Sequence, residues 1–167
     1  VVGFGDRLTT ANSLTAAITG NVKSLTEAQR KALALSNLTG NSYLESSEGL
    51  SKMLTMTDGN IDKATHLTKI AAALAAINQA EGFDGALFSL KELEGGDNMS
   101  LRDRFNIKVP NGEEAKKIAA RDGRTVQQVM LDSLQEFLDS NYGGGKSGAG
   151  VEMLIKIRAN TIGGQMN

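Results

Sequence analysis

From Leu25 onward, apolar positions recur at three- to four-residue spacing, the period that places them on one face of an α-helix. Ala28, Ala32 and Leu35 form the first such face, behind Thr26 and Gln29 in capping-box spacing, and Gly40 ends it. Ser42 and Glu45 repeat the device ahead of Leu44, Leu50 and Leu54, a helix weakened by Gly49 and stopped at Asp58-Gly59. Asn60 can cap a third helix, where Leu67, Ile70, Leu74 and Ile77 make a stripe across an Ala-rich run that Gly82 ends. Asp84 begins a short helix with Leu87, Leu90 and Leu93, closed by Gly95-Gly96, and Asp97-Asn98-Met99-Ser100 restarts the chain. Beyond Pro110, Ala115, Ile118 and Ala119 share one face. Thr125 and Gln128 then form another capping-box pair, followed at helical spacing by Val126, Val129, Met130, Leu134, Phe137 and Leu138.

Three stretches escape this pattern. The run Gly143-Gly144-Gly145-Lys146-Ser147-Gly148-Ala149-Gly150 reads as a flexible hinge, because backbone entropy opposes regular structure there. After it, Val151, Met153, Ile155 and Ile157 alternate like a strand, while Val151, Leu154 and Ile155 suit a helix. The Thr-, Asn- and Gly-rich residues 1–24 read as extended or poorly ordered. The expected organisation is therefore a helical region over 25–142, a hinge at 143–150 and a further segment from 151 to 167. The chain starts with Val-Val and ends in Gly-Gly-Gln-Met-Asn, so a piece of a longer polypeptide is the economical expectation.

Composition sharpens the fold class. Hydrophobic residues are 40% of the chain, yet there is no Trp and only two Tyr and five Phe. An Ala-rich core this thin favours closely approaching helices over a sandwich. The expectation is all-α: short to medium amphipathic helices joined by Gly, Asn and Asp turns, folding on one another or assembling as a bundle between copies.

Charge and side-chain chemistry then narrow the function. A net charge of −1 gives no overall attraction for nucleic acid or an anionic membrane. The absence of Cys removes disulfides and Cys-bearing zinc sites, and His66 is the single histidine, so sites with several His ligands are excluded within the chain. Gly-Gly-Gly-Lys-Ser resembles part of a phosphate loop, but Ser140 stands where the first Gly belongs and a helix, not a strand, precedes it. Asp58, Asn60 and Asp62 have the odd-position spacing of a calcium loop, which Lys63 at the glycine position and Lys69 at the bidentate position break. No nucleophile has a neighbouring base, and the carboxylates are scattered through helix starts and exposed faces. Neither enzymatic activity nor a cofactor is expected.

One rival reading comes from another class. Residues 104–109 alternate polar and apolar positions, and helices follow over 112–121 and 125–139. This resembles a ribbon-helix-helix repressor, with Arg104, Asn106 and Lys108 facing bases and Thr125 near phosphate. Against it stand the near-neutral charge and about a hundred upstream residues that such a module does not use.

Four pieces, in one order, carry a different resemblance. They are Ala32-Leu33-Ala34-Leu35-Ser36-Asn37-Leu38-Thr39-Gly40; the Ala-rich helix ending at Gly82-Phe83 with residues 87–96; Met99-Ser100-Leu101-Arg102-Asp103-Arg104-Phe105-Asn106-Ile107; and Gly144-Gly145-Lys146 with Met153 and Arg158-Ala159-Asn160-Thr161-Ile162-Gly163-Gly164-Gln165. Together, residues 32–167 resemble the conserved region of bacteriophage tail tape-measure proteins. In the third piece Asn106 stands where that family's basic, Phe-Gly-Ile run has Gly, a change that suits a turn.

The resemblance implies a long helical parent in the virion that sets tail length, lies in several copies in the tail lumen and leaves during DNA ejection. It favours helix over strand for 151–160. Implied partners are other copies of the chain and the tail tube and tail-tip proteins, with no specific nucleic-acid binding. Packing would rest on Leu67, Ile70, Leu74, Leu101, Phe105, Ile107, Val126, Met130, Leu134 and Phe137, with hinges at Gly95, Gly96, Gly143, Gly144 and Gly145. Segments of such proteins also act on the host membrane, and residues 8–22 are the one uncharged stretch here that could.

Overall fold

The computed structural model describes residues 4–19 and 22–166, and among them it is all-helical, with no strand. The helices are α1 (Phe4–Thr19), α2 (Val22–Thr39), α3 (Tyr43–Met56), α4 (Ile61–Ile77), α5 (Gly82–Glu94), α6 (Met99–Phe105), α7 (Gly112–Asp122), α8 (Val126–Tyr142) and α9 (Ala149–Met166). The all-α expectation holds. Residues 1–3, 20, 21 and 167 lie outside the description.

Capping chemistry explains several boundaries. Ser42 and Glu45 form the full reciprocal box on α3: the Glu45 amide donates to Ser42 Oγ at 3.0 Å, and the Ser42 amide donates to Glu45 Oε1 at 3.1 Å. Asn60 Oδ1 accepts from the Lys63 amide at 3.1 Å, and Thr125 Oγ1 from the Gln128 amide at 3.1 Å. Other boundaries depart from the sequence pattern. Thr26 and Gln29 sit inside α2, which begins at Val22, rather than at its N-terminus. Residues 4–19, expected to be extended or poorly ordered, form α1 instead: Ala11 and Thr15, four apart, are buried on its α3-facing side. Residues 151–160 are helical within α9, which settles the strand-or-helix ambiguity there.

The chain forms two compact units, residues 1–72 with 158–167 and residues 73–157, and the division falls within α4 and within α9. In the first unit α1, α2 and α3 pack against one another through small residues such as Ala11, Ala28 and Ala32. Arg158 belongs to this unit and donates from Nε and Nη2 to Asn41 Oδ1, at 3.1 and 2.7 Å, in the turn between α2 and α3. In the second unit α5 packs on α6 and α8, and α7 packs on α8, around Leu90, Leu101, Ile107, Met130, Leu134 and Leu138, each at most 2% exposed.

The two cores differ in kind. Among the residues whose burial is described, eight polar ones are buried: seven lie in the first unit (Thr15, Thr39, Asn41, Ser46, Ser47, Ser51 and Thr68) and Ser89 lies in the second. Eight of the twelve largest fully buried side chains, by contrast, belong to the second unit. Apolar burial drives folding and buried hydroxyls oppose it, so the second unit should be the more stable. Hydrogen–deuterium exchange on the whole chain is expected to show slower exchange in α5, α6 and α8 than in α1–α3; the reverse order would contradict this account.

Candidate functional site

The stretch 99–107, where the two sequence resemblances overlap, is a tied turn. Asp97 Oδ1 accepts from the Met99 amide at 2.8 Å at the start of α6, and Leu101 and Phe105, four apart, point inward. The helix ends on Asn106, whose backbone is left-handed at φ 55° and ψ 38° and whose amide donates to Arg102 O at 3.0 Å. This is the conformation in which a helix is ended by Gly or, less often, Asn. The Ile107 amide follows by donating to Leu101 O at 3.2 Å, and Ile107 is fully buried. Asn98 Nδ2 holds the outgoing chain by donating to Val109 O at 2.8 Å.

Arg104 anchors this turn to the end of α4 and the start of α5. Its Nη1 donates to Glu81 Oε2 at 2.8 Å, its guanidinium lies 4.7 Å from the centre of the Phe88 ring, and its carbonyl accepts from Asn78 Nδ2 at 2.7 Å. Gly85 permits the approach, since a Cβ there would come within 3.0 Å of Glu81 Cβ.

The residues that a ribbon-helix-helix reading would use are therefore differently placed. Residues 104–109 form no strand; Ile107 and Val109 are buried, Asn106 is the helix cap, and Lys108 is exposed. Arg124 donates to Asp122 Oδ2 and Asp132 Oδ2, at 2.9 and 2.7 Å, and Arg121 donates to Asp122 Oδ1 at 2.9 Å. Hydrogen bonds from Arg121 and then Arg124 hold the Asp122 carboxyl below the usual carboxylate range. Positive charge in this region is matched locally by negative charge. Thr125 caps α8 rather than standing free for a phosphate.

The glycine run after α8 is organised by Asp139. Its carbonyl accepts from the Gly143 and Gly145 amides, both at 2.9 Å, and its carboxylate accepts from the Gly148 amide at 3.1 Å and the Gly150 amide at 3.0 Å. The side chain thus caps the first turn of α9 with a negative charge. Gly144, Gly145 and Gly148 all have positive φ, which accounts for glycine at those positions. Backbones also meet closely here, since a Cβ on Gly150 would stand 2.2 Å from Leu138 O and one on Gly143 2.4 Å from the Gly150 amide nitrogen. In this conformation the run expected as a hinge is a hydrogen-bonded loop, and the amides a phosphate would need already face a carboxylate. Replacing Asp139 by Ala should lower stability by about 1–2 kcal/mol, read by urea unfolding. No loss would show that the loop holds itself.

The other expected hinge, Gly95-Gly96, closes α5, with Gly96 at φ 91°. It lies against the start of α7: a Cβ on Gly112 would be 3.1 Å from Gly96 O. Of the expected packing residues, Leu67, Ile70, Leu74, Leu101, Phe105, Ile107, Met130 and Leu134 are buried within the single chain, and Val126 and Phe137 are half-buried. Among the described residues the large apolar side chains left exposed are others: Leu14, Leu33, Leu38, Phe88, Met99, Met153 and Ile157. For Met153 and Ile157 the signal was present, because α9 carries apolar residues on more than one face and one face alone can pack.

Asp58-Gly59-Asn60 is the helix junction its residue types suggested, with Asp58 at φ 54°, and the described residues contain no cluster of three or more metal-ligating side chains. Burial and then the charge of Lys69 push the His66 imidazole below its usual pKa. Of residues 8–22, positions 20 and 21 lie outside the described residues, and no helix among those described is long and apolar enough to cross a membrane. No known protein family, no curated protein and no solved structure matches the chain.

Proposed function

We propose that this chain is a non-catalytic, folded helical segment of a bacteriophage tail tape-measure protein, acting through helix packing. The observation that carries the reading is Asn106. The chain resembles the tape-measure run except that Asn replaces Gly, and this residue occupies the left-handed cap where Gly is the favoured residue and Asn its usual substitute. Two other resembling pieces also coincide with helix ends: Gly40, at φ 78°, follows α2, and Gly95-Gly96 closes α5, whereas residues 158–165 lie inside α9. In this proposal the parent lies in the virion, its partners are further copies and the tail tube and tip proteins, and ejection requires the segment to rearrange.

The fold refines the role. The longest helices here have 18 residues and so span about 27 Å each. A segment of short packed helices is a folded module, and the length-setting rod would belong to other parts of the parent. Asn106→Gly is expected to leave stability unchanged or slightly raised, while Asn106→Ala should lower it by about 1 kcal/mol, because Ala resists the left-handed region. Flanking coding sequence tests the proposal itself: hundreds of residues with heptad-like apolar periodicity are expected. Titration with duplex DNA at two salt concentrations is expected to show no saturable, sequence-specific binding, and tight specific binding would overturn the proposal in favour of the repressor reading.

A further inference from the structure

We propose that the first unit binds one ordered water molecule at the junction of α1, α2 and α3, held by the Ser47 hydroxyl together with polar groups of Asn12, Thr15 and Gln29. Each helix contributes to a narrow cavity there: Asn12 and Thr15 from α1, Gln29 with Ala28 and Ala32 from α2, and Ser47 from α3. The two alanines leave the space.

The volume open to the centre of a water-sized sphere is about 10 Å³, which matches the room needed by one water and by nothing larger. Ser47 is only 6% exposed, and its Oγ has no hydrogen-bond partner within the protein. A hydroxyl buried in this way costs free energy that a bridging water restores, and such a water needs two to four polar partners, which these three helices supply.

Two neighbours on α3 sharpen the assignment. Ser46 and Ser51 are also buried with unpartnered hydroxyls. Ser51 instead lines a groove of about 380 Å³ beside Arg7, Glu48 and Lys52, which is too wide to fix a single molecule. Ser46 points about 100° around the helix from Ser47 and does not line the junction cavity. The bound species is therefore water at Ser47, linking three helices that also meet through the Arg7–Glu48 ion pair between α1 and α3.

The test is a crystal structure of the whole chain at about 1.8 Å with thermal unfolding of two variants. A water oxygen is expected within about 3.2 Å of Ser47 Oγ and of at least one of the other three polar side chains. Absence of that peak would overturn the proposal. Ser46→Ala removes an unpaired hydroxyl and favours helix, so it should raise Tm by about 2–4 °C. Ser47→Ala strips the water of a partner, so its Tm should fall at least about 3 °C below that of Ser46→Ala. An equal rise in both variants would mean that the Ser47 hydroxyl is dry, and would overturn the proposal independently.

Discussion

Replacing Gly150 with alanine should destabilise the protein by about 3 kcal/mol, a large effect for the addition of one methyl group. The new Cβ would stand 2.2 Å from Leu138 O, 2.4 Å from its carbon and 2.7 Å from the Asp139 nitrogen. All three are backbone atoms, so no side-chain rotation relieves the clash; α9 must shift away from the end of α8. That shift would also lengthen the bond from the Gly150 amide to the Asp139 carboxylate. Gly144→Ala is the natural comparison, since it meets open space and suffers only its positive φ, at about 1–2 kcal/mol. Urea unfolding of the two variants should separate them clearly. Equal, small effects would show that the loop is loose in solution and does not hold α8 and α9 at this distance.

Phe105→Ala should cost about 3–5 kcal/mol, because the side chain is 3% exposed and its loss leaves a cavity at the end of α6. The effect bears on how residues 104–109 are used. If that segment waited for a partner strand, truncating Phe105 would cost the isolated chain little. If it is the packed cap described above, the loss is felt by the monomer at any concentration. Phe88→Ala supplies the contrast: Phe88 is 45% exposed and its ring lies 4.7 Å from the Arg104 guanidinium, so a loss of about 1 kcal/mol is expected.

What the sequence disclosed follows from the range of the interactions involved. Ser42 with Glu45, Asn60 with Lys63 and Thr125 with Gln128 are contacts three residues apart; the first and third were legible from spacing, and the second from Asn60 standing as a cap at a helix start. The inward face of α8 was legible in the same way, through Val129, Met130, Leu134 and Leu138. Thr26 and Gln29 misled because a capping box is also an ordinary helical sequence when the helix begins earlier, here at Val22. The helix over residues 4–19 was hidden because Thr, Asn and Gly are poor helix formers, and Ala11 and Thr15, which it buries, announce no apolar stripe.

Longer-range features left no mark that one sequence could reveal. Composition marked the loop 143–150 as loose, whereas its order depends on Asp139, which reaches nine and eleven residues ahead. Arg104 could be read as a base-reading side chain until Glu81, 23 residues away, was seen to hold it. The division of exposed from buried apolar residues followed the helical faces only in part: Leu67, on its stripe, is 7% exposed and Leu33, off the Ala28–Ala32–Leu35 face, is 53% exposed, but Phe137, on the α8 face, is only half-buried.

The claim that this chain is a structural part of a phage tail is tested most directly by quantitative mass spectrometry of purified tails from a phage that encodes it. Peptides spanning residues 32–167 are predicted in intact tails at a few copies per particle, fixed relative to the tube protein and depleted after DNA ejection. Their absence from tails, with the chain recovered instead among soluble or DNA-bound proteins of the infected cell, would contradict the account.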